Sequence, residues 1–414
     1  MAVEAVPSSP GAEAAPIGRR SALVGIALSQ LLVLVLWFSA SAVAPQLQSA
    51  WDLDSGQIAW LTLTVQIGFV VGALGIAMLG LADAVPARRL FVVAALAGAG
   101  ANAALVLVSP DALWAAFALR FLTGIMLAGV YPSGLKVMAG WFRRGRGLAL
   151  GILVGALTVG SAGPHLIRGL GLEWQGVILA ASLIAVAGAV LLGVTVKDGP
   201  FEVAPSAFSW HHVGAAAGNR GVRLSTYGYL GHMWELYAMW TWTAAFLAAS
   251  AAAGGYSSGW VSGATFAIIA IGGVGSVAAG LLADRRGRTL AAGGAMAVSG
   301  TCALLTPLVF GVSPFLLVPL FLVWGFSVVA DSAQFSTMVT ETAAPAYRGT
   351  ALTLQTGLGF LLTLVTIRGV PLLAETWGWR WAFPWLAIGP AIGIVAMVVL
   401  RRSPESAELA GGVG

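Results

Sequence analysis

Charge is scarce in this chain. Only 9% of its 414 residues are Asp, Glu, Lys or Arg, while 58% are hydrophobic; globular domains use about a quarter charged residues. A soluble fold of this length could not cover its surface with so few charges, so the composition calls for lipid as solvent. Cysteine is nearly absent: Cys302 is the single copy, which excludes a disulfide framework or a thiolate metal site within one chain and leaves a buried bystander. Motif chemistry is missing too. There is no phosphate-cradling Gly-Lys-Ser/Thr sequence and no catalytic constellation, which argues against an enzyme, against direct ATP drive and against any cofactor or metal. The net charge of +5 is distributed over short loops and does not form the continuous basic face a nucleic acid would need.

What is present is a succession of apolar runs of helix length, interrupted once. Residues 1–20 read as a disordered tail, poor in anything that builds a core. A first long apolar run, Ala22 to Ala44, follows Arg19-Arg20; it has the length of a bilayer-spanning helix, which excludes a signal peptide. Further spans are expected at about 57–80, 90–108, 112–135, 147–170 and 175–195, and then at 225–250, 261–282, 290–309, 315–340, 350–373 and 379–400. These runs are too long and too evenly apolar for barrel strands. The expectation is an all-α integral membrane protein with twelve transmembrane helices, divided into an N-terminal bundle (21–196), a linker (197–224), a C-terminal bundle (225–402) and a tail (403–414). His211 and His212 in the linker read as solvated, with too few companions for a metal site.

The two bundles read as one unit written twice. Leu81-Ala82-Asp83 recurs as Leu282-Ala283-Asp284 and Arg146-Gly147 as Arg348-Gly349, at offsets of 201 and 202 residues. Orientation follows from the loops: 17 of the 21 basic residues fall on one side, Arg19, Arg88, Arg143, Arg223, Arg285 and Arg401 among them. Asp52, Asp54, Asp111, Glu173 and Glu375 fall on the other. The positive-inside rule then places both termini in the cytoplasm, in a plasma (inner) membrane. Trp51, Trp60, Trp114, Trp141, Trp174, Trp260, Trp377 and Trp379 lie near expected span ends, where indoles suit the headgroup zone.

Three motifs carry a family resemblance. Gly280-Leu281-Leu282-Ala283-Asp284-Arg285-Arg286-Gly287-Arg288 resembles the loop motif of the major facilitator superfamily. Its first-half copy, Gly80 to Arg89, keeps Asp83 and the pair Arg88 and Arg89 but loses the Arg-any-Gly core. Arg120, Gly124 and Gly129 resemble the family's fourth-helix signature. Gly151, Gly160, Gly163 and Pro164 resemble its antiporter motif, with Ile167 and Arg168 where a closing glycine pair usually stands. The chain also has a look similar to the nitrate/nitrite and cyanate permease branches, but it lacks the arginines of nitrate porters in the second and eighth spans. A cyanate-permease-like or other organic-solute porter stays open. The resemblance covers about residues 20–402 and implies alternating access, two halves rocking about a midplane site. It also implies a monomer, and a conformational latch formed by Asp83, Arg88, Arg89, Asp284, Arg285, Gly287 and Arg288.

A charge inside the bilayer costs about 2.5–3.5 kcal/mol on insertion scales, so each one needs a reason. Arg120, Glu235 and Asp331 lie deep in the fourth, seventh and tenth spans. His232, Glu235, Met239 and Trp242 fall on one helical face, and Gln334 follows Asp331 by one turn. Gln30, Trp37 and Ser41 follow helical spacing on the first span. These residues are expected to bind solute or couple protons, with Arg120 as an alternating partner of the acids; the alternative is a permanent Arg–carboxylate pair. His165, Arg168 and Arg368 lie near the far ends of the fifth and eleventh spans, as snorkelling side chains or as an outer gate. The reading is a proton-coupled secondary transporter of a small, anionic organic solute, with membrane lipid as its surroundings. The alternatives are a proton-coupled exporter of drugs or amphipathic compounds, and a non-transporting membrane sensor.

Overall fold

Lipid offers a backbone no water to bond, so each crossing must satisfy its own amides, and a helix does so within itself. The computed structural model describes residues 18–142, 146–201 and 209–414, with the side chains of Ala82, Asp83, Arg146 and Gly147 left aside. Most of the N-terminal tail, Arg143, Arg144 and Glu202 therefore lie outside the described residues. Among those described there is no strand.

The twelve spans are α1 (Arg19–Leu34), α2 (Ser55–Met78), α3 (Ala87–Ala104), α4 (Leu113–Trp141), α5 (Arg146–Arg168), α6 (Trp174–Thr195), α7 (Arg220–Ala253), α8 (Val261–Arg286), α9 (Arg288–Val309), α10 (Pro314–Ala330), α11 (Arg348–Trp377) and α12 (Ile388–Arg401). Two are interrupted. After α1 the chain turns at residues 35–38 and resumes as Ser39–Ala42 and Ala44–Trp51. After α10 it resumes as Ser332–Thr342, with Asp331 at the join. Ten helical stretches among the described residues are apolar and long enough to cross a membrane; the broken first span and the polar-rich α7 are the two that fall short.

Helix starts are written locally. Asp54 caps α2 by accepting from the Gln57 amide (2.8 Å), while Gln57 Oε1 accepts from the Asp54 amide (2.9 Å), a reciprocal capping box. Asn219 caps α7 through the Val222 amide (2.9 Å) and donates to Thr342 O (3.1 Å), tying the start of α7 to the end of the segment Ser332–Thr342 that continues α10. Gly287 separates α8 from α9 at φ +97°, a backbone that L side chains avoid.

The N-terminal half packs α4 against α2 and α3, and α1 against α5 and α6; the C-terminal half packs α8 against α10, and α7 against α11 and α12. The halves meet where α2 lies on α11 and α5 on α8. Gly155 and Gly273 face each other at the second contact, with the carbonyl of one 3.2–3.4 Å from where the other's Cβ would sit. Close approach of small residues replaces the hydrophobic drive that lipid does not supply. The tryptophans divide. Trp60, Trp114 and Trp377 are exposed toward the surroundings, whereas Trp51 and Trp174 are buried and pack edge to face, 5.4 Å between centroids.

Candidate functional site

Arg120 is fully buried on α4, and all its partners are neutral. Its Nη2 donates to Trp37 O (2.7 Å) and its Nε to Leu61 O (3.4 Å). Nη1 donates to Asn102 Oδ1 (2.7 Å), Ser39 Oγ (3.1 Å) and Leu36 O (3.2 Å). Where the first span breaks, the carbonyls of Leu36 and Trp37 receive no amide from the next turn; the guanidinium fork takes both, Leu36 O accepting also from Ser39 Oγ (3.0 Å). Asn102 is the hub behind it, accepting also from Ser39 (2.8 Å) and donating to Ser182 Oγ (2.9 Å) and Ile178 O (3.3 Å). Four helices of the N-terminal half are thus pinned around one cation. The expected partnership of Arg120 with Glu235 or Asp331 is not formed: no carboxylate among the described residues lies within ion-pair distance of it.

Among the described residues the two buried acids, Glu235 and Asp331, both belong to the other half. Glu235 on α7 is buried; Oε1 accepts from Trp324 Nε1 (2.7 Å) on α10 and Oε2 from Ser299 Oγ (2.8 Å) on α9. One turn earlier, His232 Nδ1 lies 2.7 Å from Asp331 Oδ1, both side chains buried. Glu235 therefore points into its own half, toward α9 and α10. Trp242, on the face expected to line a solute site, instead donates to Ile367 O (2.8 Å) and fastens α7 to α11. Met239 is fully buried. Gln334 is drawn toward the terminal-face loop, accepting from Arg288 (3.3 Å).

Between the halves stands a cluster of rings. Trp37 and Phe38 at the break and Phe69 on α2 face Tyr237 and Trp240 on α7 and Phe360 on α11. Centroids are 4.5 Å apart for Phe69–Phe360, 5.7 Å for Trp37–Phe360, 5.8 Å for Trp37–Tyr237 and for Phe38–Trp240. The indole nitrogens of Trp37 and Trp240 are buried there without partners, and on α2 the side-chain amide of Gln66 is likewise buried and unpaired. Unpaired buried donors are costly, and a solute carrying acceptors would relieve them. Of the other first-span candidates, Ser41 bonds Thr62 (2.6 Å), and Gln30 donates to Leu153 O (3.3 Å) with its Oε1 unpaired.

Toward the face opposite the termini, Ser55 on α2 donates to Glu375 on α11. Arg368 Nη2 and Asp54 Oδ1 both approach Gly56, and Arg368 Nη1 is buried without a partner. Arg168 is half-buried, and neither ring nitrogen of the buried His165 has a partner. On the terminal face Arg288 grips Glu341 with two bonds of 2.7 Å and lies 3.6 Å from the exposed Asp284. Arg285 and Arg89 are exposed, and Arg88 donates to Val196 O (3.0 Å). The Asp83 side chain lies outside the described residues.

Several participants were missed by sequence reasoning: Asn102, Ser39, Ser182, Ser299, Trp324, Phe69 and Phe360. Asn102 did carry a signal, as a lone amide in a run of Ala, Gly and Leu. Ser299 and Trp324 carried none, since both types are ordinary in spans.

Comparison with known proteins agrees with this architecture. A family model described as Major Facilitator Superfamily matches residues 26–365. No curated protein sequence matches. Among solved structures, a bacterial homologue of the human lysosomal transporter Spinster, in an inward-facing and unoccupied conformation, superimposes with a TM-score of 0.72 at 14% identity, covering 95% of this chain and 100% of that one. A point mutant of the nucleoside transporter NupG superimposes with a TM-score of 0.67 at 16% identity, covering 91% and 99%. At such identities the likeness speaks for the fold.

Proposed function

The chain belongs to the Major Facilitator Superfamily, and from that membership we propose that it is a proton-coupled secondary transporter of a small amphipathic organic compound with a flat, apolar body. Secondary transport by alternating access comes with the family; coupling and solute are read from the site.

One observation carries the reading. Glu235 and Tyr237 are two residues apart on α7, and two residues turn a helix by about 200°. Glu235 bonds Ser299 and Trp324 inside the C-terminal half, while Tyr237 stacks on Phe38 and packs at a tilt against Trp37 of the N-terminal half. A proton taken up on one face of α7 can therefore alter ring packing on the other. The ring cluster suits an apolar body, and the unpaired indole and amide groups suit its acceptors. His232 with Asp331 is a second titratable pair for the same task.

An anionic solute is the second reading. It is favoured by the half-buried Arg168 and by the unpaired Arg368 nitrogen, which would form an electropositive vestibule. It draws no support from Arg120, whose donors are already occupied. We place both termini in the cytoplasm on the loop charges, with the chain working as a monomer.

The test is a proteoliposome assay with a pH-reporting dye inside and an imposed pH gradient. Lipophilic aromatic compounds should move protons with them, small carboxylates should not, and Glu235→Gln should abolish the proton movement. Proton movement with carboxylates only would favour the second reading, and binding without flux would indicate a sensor.

A further inference from the structure

Residues 404–414 are folded back onto the terminal face. Residues 404–412 make 3₁₀ turns kinked at residues 409–411 and pack against the second segment of α10 and against α12, with Leu409 fully buried. Ala410 then takes φ +48°, a conformation an L residue avoids, and that turn aims its amide at Glu341 Oε2, 3.2 Å away. The carbonyl of Val413 passes over Gly287, 2.9 Å from where a Cβ would sit, and only a glycine leaves it room.

Glu341 is the residue on which the latch arginine closes. It accepts two bonds of 2.7 Å from Arg288 in addition to the Ala410 amide. Arg288 also reaches Gln334 (3.3 Å) and Asp284 (3.6 Å). All of these partners lie in the C-terminal half, so with the segment docked the latch arginine is withheld from the N-terminal half.

We propose that residues 404–414 are a strap that holds Arg288 on Glu341 and so opposes closure of the terminal face. Undocking removes the backbone donor from Glu341 and uncovers Gly287. The latch arginine is then free to exchange partners across the interface, and the halves close at the terminal face while parting at the opposite one.

The test uses the full chain with Cys302→Ala and spin labels on introduced cysteines. One pair, Leu79 and Leu282, lies on the terminal face and is exposed in both halves; the other, Leu172 and Trp377, lies on the opposite face and is likewise exposed. Ala410→Pro removes the amide donor and forbids positive φ. A hydrogen bond to a charged group is worth about a tenfold change in an equilibrium. In Ala410→Pro the terminal-face distance should therefore shorten, and the opposite-face distance lengthen, in a population enlarged about tenfold. Leu409→Asp, which expels the strap by charge burial, should do the same. Unchanged distances in both variants would overturn the proposal. So would broadening of both pairs together, which would make the segment a structural brace only.

Discussion

Replacing Asn102 by Leu tests the pinning of the first span directly. The side chains are of similar size, so the change removes hydrogen bonds and leaves little cavity. Asn102 makes four bonds: it accepts from Arg120 and Ser39 and donates to Ser182 and Ile178. Hydrogen bonds between membrane helices measure about 0.6 kcal/mol on average and about 1.7 kcal/mol at most, because the unfolded chain in a membrane also finds partners. The bond from Arg120 is charge-assisted and belongs near the upper figure. Asn102→Leu should then cost about 3.5 kcal/mol, summed from three ordinary bonds and one strong one. Arg120→Lys should cost a comparable amount, since a compact ammonium cannot replace a planar fork that reaches Leu61 O, Leu36 O and Trp37 O at once. The assay is reversible unfolding in mixed micelles followed by tryptophan fluorescence, with Asn102→Asp as a control that keeps the acceptor. A loss under about 1 kcal/mol for Asn102→Leu would refute the view that Asn102 and Arg120 together hold the break.

Other outcomes follow from the same geometry. Gly124→Ala should destabilise by about 1–3 kcal/mol, because its Cβ would collide with the Val65 carbonyl where α4 crosses α2; thermal unfolding checks this. Trp324→Phe keeps an aromatic ring but removes a donor to Glu235, so under the proposed coupling the pH profile of transport should shift while solute affinity at a fixed pH changes little. An unchanged profile would argue against Glu235 as the coupling group. Ser55→Ala removes the donor to Glu375 between α2 and α11; a cysteine placed at the opposite face should then label faster, by a few-fold for a hydrogen bond worth about 1 kcal/mol. Equal labelling rates would show that the Ser55–Glu375 bond does not hold that face shut.

The sequence by itself determined the solvent, the class and the plan of this chain. A 9% charge content admits only lipid surroundings, and lipid admits only helices or a closed barrel, so length and even hydropathy sufficed to yield the spans. The loop motif from Gly280 to Arg288 indicated the family before any packing was known. What the sequence did not reveal was which polar residues meet. Residues 35–38, Val-Leu-Trp-Phe, contain no glycine or proline, and nothing local predicts a break there. It is stabilised by the Arg120 guanidinium, brought from 83 positions away to the Trp37 carbonyl. Periodicity placed Glu235 and Trp242 on one face of α7, but a helix buried on every side has no privileged face. Tertiary packing assigned Glu235 to α9 and α10, Trp242 to α11, and Tyr237 to the opposite half. Burial on all sides removes the polar–apolar contrast from which a face is read, so only the folded arrangement could separate the residues that bear charge from those that join the halves.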